Sequence, residues 1–262
     1  MKTKVILMAL FVGCASMTNA QDGDVLTNKN GAAILPAAGD WALGFDAAPL
    51  LNYAGNMFNG NTNNSMGAAW ANGDFAISGK YFKDANTAYR ASVRIGMGSA
   101  TTSTLTDTSG MGDYIQDDMT MSSNAIVLGG GYEMRRGSGR LIGVYGAGVN
   151  ISLGGASTSY TYDLACDANN PGMRMTGTNS GSSFGISLGG MIGVEYFIMP
   201  KISIGAEYTW GLGFTSTGEG TSTSEYWDGS EVVTSETRTG GSSGFGIDTG
   251  NNGGAITLMF HF

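Results

Sequence analysis

Gly253-Gly-Ala-Ile-Thr-Leu-Met-Phe-His-Phe262 is the stretch whose reading decides the fold. Large apolar residues take every second position, Ile256, Leu258, Phe260 and Phe262. Ala255, Thr257, Met259 and His261 take the alternates. A period of two describes a β-strand with two unlike faces. In a water-soluble domain, a strand ending on alternating phenylalanines would be an adhesive edge. As the closing strand of a membrane barrel, it turns its aromatic face to lipid and leaves no edge.

The same alternation recurs upstream. Strand one, 40–52, sets Trp41, Leu43 and Phe45 against Ala42, Gly44 and Asp46. Strand two, 66–82, ends with Phe75, Ile77, Gly79 and Tyr81 opposite Ala76, Ser78 and Lys80. The clearest case follows the turn 83–86: Tyr89, Ala91, Val93, Ile95 and Met97 oppose Arg90, Ser92, Arg94 and Gly96. Strand four, 123–135, sets Ile126, Leu128, Tyr132 and Met134 against Gly129, Gly131 and Glu133. Strands five (140–153), six (182–197) and seven (201–214) repeat the pattern, with Glu195 and Glu207 among their glycines and serines. Short turns, such as Arg136-Gly-Ser-Gly139, join them on one side. Polar stretches 53–65, 98–122, 154–181 and 215–252 join them on the other and are expected to be long loops. The expectation is an all-β, eight-stranded antiparallel up-and-down transmembrane barrel, the pattern of outer-membrane barrels.

Lys2, Lys4, the apolar run Val5–Gly13 and the small residues before Gln21 form an expected signal peptide, 1–20, cleaved near Ala20. Its apolar core is too short to span a bilayer as a helix. Lipidation at Cys14, after Phe11-Val-Gly, is the competing reading. Residues 21–39 are expected to be a leader and 40–262 the barrel. Loss of the signal removes two bases and no acids, taking the formal charge from −8 to −10. That sign disfavours nucleic acid as a partner. Cys166 then stands alone, so no intrachain disulfide is available. Glycine is 44 of 262 residues, with no collagen-like period. That is well above the usual ~7% and suits strands with small inward side chains.

With these features the chain resembles the small eight-stranded outer-membrane barrels of the OmpA/OmpX type, in the form common in Bacteroidota. The resemblance covers residues 40–262 and is most specific at Gly254, Ile256, Leu258, Phe260 and Phe262. It implies that these five form the C-terminal signal read by the barrel assembly machinery. It also implies residence in the bacterial outer membrane among its lipids. Activities vary widely in that family, from anchoring to adhesion, so the resemblance implies location more than function.

Eight strands leave an interior just wide enough for side chains. The inward positions hold Asp46, Lys80, Arg90, Arg94, Glu133, Glu195 and Glu207. Isolated buried charges cost several kcal/mol, so these seven are expected to form an ion-pair network that plugs the lumen. Contact with lumen water, which the inward glycines would leave room for, is the alternative. The outward face carries Ile, Leu, Val and aromatics. Tyr81, Tyr89, Tyr132 and Tyr196 near the turns, and Trp210 and Phe214 near a loop end, suit aromatic girdles. A soluble lipocalin-like barrel would invert this sidedness.

An enzyme is not expected. The single histidine, His261, is expected to face the short-turn end, whereas the resemblance implies that barrel-borne hydrolases and acyltransferases hold catalytic histidines near the outer rim. A Ser-His-acid triad has nothing to use here, and His or Cys metal clusters are absent from the sequence. No cofactor is expected. The loop side carries Asp117, Asp118, Asp163, Asp167, Glu219, Glu225, Asp228, Glu231 and Glu236. The turn side carries Lys83, Arg135, Arg136, Arg140 and Lys201. Asp167-Ala-Asn169 resembles a fragment of a calcium loop without its full spacing, and a solvated acidic surface is the plainer account. Two functions follow: a structural or surface-interaction protein working through acidic loops, with an unidentified surface protein or glycan as partner; or a narrow channel for ions or small solutes. Loop length favours the first.

Overall fold

The structure, a computed structural model, describes residues 26–47, 77–107, 114–248 and 254–262. The expected signal peptide, 1–20, the stretch 53–65 and the first part of strand two lie outside them. Within them, eleven antiparallel strands form one sheet: β1 (Trp41–Asp46), β2 (Ile77–Asp84), β3 (Thr87–Asp107), β4 (Tyr114–Arg136), β5 (Leu141–Thr161), β6 (Arg174–Met199), β7 (Ile202–Thr217), β8 (Gly220–Trp227), β9 (Val232–Thr239), β10 (Ser242–Asp248) and β11 (Gly254–His261).

Eight positions around the sheet close into a ring. Strands β1 to β7 pair in sequence order, and β11 completes the circle by pairing with both β7 and β1. Leu43 lies opposite Phe260 and Phe45 opposite Leu258. Trp41 and Phe262 exchange both backbone hydrogen bonds at 2.9 Å. Closure satisfies the backbone of the terminal segment, the condition a strand must meet to lie in lipid.

The loop boundaries need correction. Residues 98–122, 154–181 and 215–252 are largely strand. β3 and β4 pair without a break from Thr87↔Met134 to Asp107↔Tyr114, and β5 and β6 run similarly far. Within 215–252, β8 and β9 form a hairpin on the upper part of β6. β10 pairs with the upper half of β7, above the segment β7 shares with β11, so β10 and β11 together fill the eighth position. The physical reason is that above the bilayer neither face of a strand meets lipid, so the apolar alternation stops while β propensity persists in threonine and serine. Cross-strand hydroxyl pairs such as Ser99–Ser122 at 3.1 Å and Thr101–Thr120 at 2.9 Å continue the ladder. β10 did carry a readable alternation, Phe245 and Ile247 against Gly244 and Gly246.

At about 3.3 Å per residue, the 26 residues of β6 reach roughly 85 Å, against the 9–11 residues a membrane crossing takes. The three tight turns fall where the sequence places them. Lys201, in the β6–β7 turn, takes a positive φ of 65°, a conformation uncommon for a side-chain-bearing residue.

Sidedness is inverted relative to a soluble protein. Outward positions such as Ile95, 67% exposed, Leu128, Ile151, Leu188 and Leu212 are exposed large apolar side chains, while charged side chains fill the turn end of the inside. Some inward glycines are obligatory. A Cβ on Gly146 would strike the Tyr132 carbonyl, and one on Gly211 would strike that of Leu188. Residues 26–39 pack beneath the barrel: Ile34, 2% exposed, inserts against Ile142, Val144 and Phe197, with Leu26 and Leu35 beside it. Asn28 Oδ1 shapes this segment by accepting from the Asn30 and Ala32 amides, both at 2.9 Å.

Candidate functional site: the charged floor of the barrel

Inward side chains from six strands meet at the turn end of the lumen. Lys80 of β2 places Nζ 2.8 Å from Glu133 Oε2 and 3.4 Å from Glu195 Oε2. Arg135 Nη1 lies 2.7 Å from Glu133 Oε1 and 2.6 Å from Glu195 Oε2, joining β4 to β6. One layer higher, Arg90 of β3 grips Glu207 of β7 with both terminal nitrogens at 2.9 Å, and its Nη1 lies 3.6 Å from Glu133. The sulfur of Met191 also touches that guanidinium. Three cations thus face three carboxylates, the balance needed to hold ionised groups away from water.

Of the seven inward charges named from the sequence, Lys80, Arg90, Glu133, Glu195 and Glu207 are brought into one cluster. Arg94 is half-buried on the same face of β3, two inward positions above Arg90. Asp46 contributes its backbone opposite Thr257, and its side chain lies outside the described residues. Three further members were not among those seven. Arg135, assigned to the exposed turn side, is 2% exposed, and its guanidinium sits 5.0 Å from the centre of the Phe82 ring. Ser203 and His261 are also buried there. Parity would have placed all three: Arg135 follows Glu133 by two residues, Ser203 precedes inward Gly205, and His261 follows inward Met259.

A serine, a histidine and a glutamate do meet at the turn end, a grouping the sequence did not offer. Ser203 Oγ lies 2.5 Å from Glu195 Oε1 and 2.8 Å from His261 Nε2, and Glu195 lies 3.3 Å from that same nitrogen. A nucleophilic triad needs the acid on the other ring nitrogen, orienting the base. Here His261 Nδ1 is buried without a partner among the described residues, and Ser203 is fully buried. The arrangement ties the closing strand to β6 and β7. Phe82 and Phe197 flank the imidazole at 5.6 and 5.1 Å between ring centres.

Above Arg90 and Glu207 the inward side chains shrink. Ser92, Gly129, Gly131, Asn150, Ser187 and Thr209 are among those lining a cavity of about 700 Å³. The lumen thus has a packed, charged floor below and a roomier space, lined by many small residues, above it.

On the loop side, Arg174 joins β6 to β8 through Glu225 at 2.7 Å, and its guanidinium stacks 4.4 Å from the centre of Tyr162. The Asp167 carboxylate accepts from the Asn169 and Asn170 amides at 2.8 and 3.0 Å, so it caps its own turn. Cys166 beside it is buried. Among the described residues no three acidic, His or Cys side chains cluster as metal ligands. Asp228 accepts from the Ser230 and Glu231 amides at the β8–β9 tip, and these bonds, Glu231 foremost, hold its carboxyl below the usual range.

A closed ring of eight antiparallel strands, apolar outside and charged inside, is a transmembrane β-barrel of the outer-membrane type. No protein-family model matches the sequence, and no curated protein matches it significantly. Among solved structures, the chain is similar to the outer membrane protein OprG from Pseudomonas aeruginosa: 10% identity, 87% of this chain and 98% of that chain covered, TM-score 0.34. It is also similar to a major outer membrane protein from Thermus thermophilus: 12% identity, 86% and 100% covered, TM-score 0.28.

Proposed function

We propose that this outer-membrane barrel is a surface-interaction protein: a closed anchor that holds rigid β-hairpins in front of the membrane. The observation that carries this reading is the length of the strands. β3–β4 and β5–β6 continue as paired ladders well past their lipid-facing segments, and β8–β9 adds a further hairpin. Paired strands present side chains at fixed spacing and spare a partner the cost of ordering a loop. The exposed charges there are mostly acidic, including Asp163, Glu219, Asp228 and Glu231. A partner surface is therefore expected to be basic or to present hydroxyl groups, as a protein or a glycan does.

The floor supports an anchor without a continuous pore. Neutralised charges, Phe82, Phe197 and the inserted Ile34 fill the turn end of the lumen. The channel reading draws on one specific observation, the cavity above Arg90 and Glu207. Planar-bilayer recording separates the two. A closed anchor gives no stable open level in the wild type, nor after joint neutralisation of Arg94 and Glu207. Steady conductance in the wild type would establish the channel. Pull-down from native outer membranes, with and without residues 220–239, then tests the hairpin. In this reading residues 1–20 direct export, and the assembly machinery recognises Gly254 to Phe262.

A further inference from the structure

The outer surface of the barrel at its turn end carries a second organised feature. Trp41, Tyr81, Tyr89 and Tyr132 form one unbroken row across four strands, each directly opposite the next: Trp41↔Tyr81, Tyr81↔Tyr89 and Tyr89↔Tyr132. All four face outward and are exposed. Trp41 and Tyr81 pack with ring centres 4.9 Å apart, and Tyr89 and Tyr132 at 5.7 Å. Such a row marks the level where acyl chains give way to headgroups.

Two cations stand just beyond the row on the turn side. Lys83 follows Tyr81 by two residues, at the irregularity that ends the β2–β3 ladder, and its side chain is exposed; Arg136 follows Tyr132 by four on β4, at outward parity. The Arg136 guanidinium lies 5.9 Å from the centre of the Tyr145 ring, also on the outer face, and donates to the Arg135 carbonyl at 2.9 Å. Among the described residues no carboxylate lies within ion-pair distance of Arg136 or Lys83, although the charge of Lys83 acts on the adjacent Asp84 carboxylate. Their neighbours are committed elsewhere. Asp84 accepts from the Asn86 amide and the Thr87 hydroxyl. Lys201 pairs with Asp40, and Arg140 donates to the carbonyls of Phe197 and Ile198.

We propose that this face of β1–β5 is a binding site for an anionic phospholipid of the adjoining leaflet. The aromatic row packs along the glycerol and upper acyl region, while Lys83 and Arg136 receive the phosphate. The chemistry is complementary at both levels: flat amphipathic rings where the lipid changes polarity, and cations where its negative charge sits. Arginine suits the position because its planar fork can hold two phosphate oxygens at once.

Native mass spectrometry of the full barrel, released from nanodiscs of phosphatidylglycerol mixed with phosphatidylcholine, tests the site. Wild type is expected to retain phosphatidylglycerol preferentially. Lys83→Gln and Arg136→Gln should each weaken retention about fivefold, and the double variant about 30-fold, from the effect of one basic residue at a charged membrane surface. Unchanged heat-modifiability would show that the variants remain folded. Equal retention by wild type and the double variant, or equal retention of both lipids by wild type, would overturn the proposal. So would displacement of the lipid by free inorganic phosphate, which would make this an anion site unrelated to lipid.

Discussion

Arg135 and Glu195, on β4 and β6, meet inside the barrel with Nη1 2.6 Å from Oε2, each almost wholly out of contact with solvent. Neither strand pairs with the other. β5 lies between them, so the contact crosses the lumen floor instead of following the sheet. It belongs to a set whose charges cancel. Removal of one partner should therefore cost far more than an exposed ion pair is worth. Glu195→Ala strips a shared carboxylate from Arg135 and Lys80 and removes the carboxylate that Ser203 and His261 both contact. The expected loss is about 3–5 kcal/mol. Urea unfolding in lipid vesicles, followed by tryptophan fluorescence, measures it, and a loss below about 1 kcal/mol, the range of surface pairs, would mean the floor is solvated.

The second prediction concerns closure. The mutual hydrogen bonds of Trp41 and Phe262 form the lowest rung between the first and last strands. Deletion of Phe262 removes that rung and the last residue of the aromatic alternation. Assembly should be impaired, with the protein accumulating in a protease-sensitive form. A normal yield of heat-modifiable barrel from the deletion variant would refute this.

The leader gives a third. Ile34 is the buried contact that holds residues 26–39 against Ile142, Val144 and Phe197. Ile34→Ala should cost about 2–5 kcal/mol locally, the range for truncating a buried isoleucine. That is enough to undock the segment while the ring stays closed. Trypsin should then cut after Lys29 many times faster than in the wild type, with heat-modifiability unchanged. Equal cleavage rates would show that the segment is held by something other than Ile34.

A fourth follows from Asp228. Its carboxyl titrates below the ordinary aspartate value because the amides of Glu231 and Ser230, and the Ser230 hydroxyl, bond to the charged form. A depressed folded-state value means the tip gains order above the unfolded aspartate value and loses it as pH falls through the lower one. Amide chemical shifts of Ser230 and Glu231 should move together over that acidic interval. Asp228→Asn, which still accepts hydrogen bonds but has no charge to titrate, should abolish the movement. Movement persisting in that variant would assign it to another group.

Much of this molecule was legible in the sequence because lipid imposes a strict rule on strands that cross it. Outward residues must be apolar at every second position, so Tyr89 to Met97, Ile204 to Phe214 and Ile256 to Phe262 could be assigned to faces by counting. The same parity put Lys80, Arg90, Glu133, Glu195 and Glu207 inside. Above the membrane the rule lapses, since both faces of Ser99 to Asp107 meet water. There a serine- and threonine-rich strand has no period to distinguish it from a loop.

Tertiary structure decided what faces what across the lumen. Parity states that Arg90 and Glu207 both point inward. Their pairing depends on the stagger of the eight strand positions around the ring and on the inward space that glycines such as Gly146 and Gly211 leave free. Shear and coiling accumulate over the whole ring, so no local stretch encodes them. The seating of Ile34 under the barrel, the gathering of Ser203, His261 and Glu195, and the aromatic row from Trp41 to Tyr132 have the same origin. Sequence alone determined that the chain forms a lipid-facing barrel and which side of each strand meets lipid. Only the closed ring decided which charges cancel, where the lumen is filled, and how far the hairpins rise beyond the membrane.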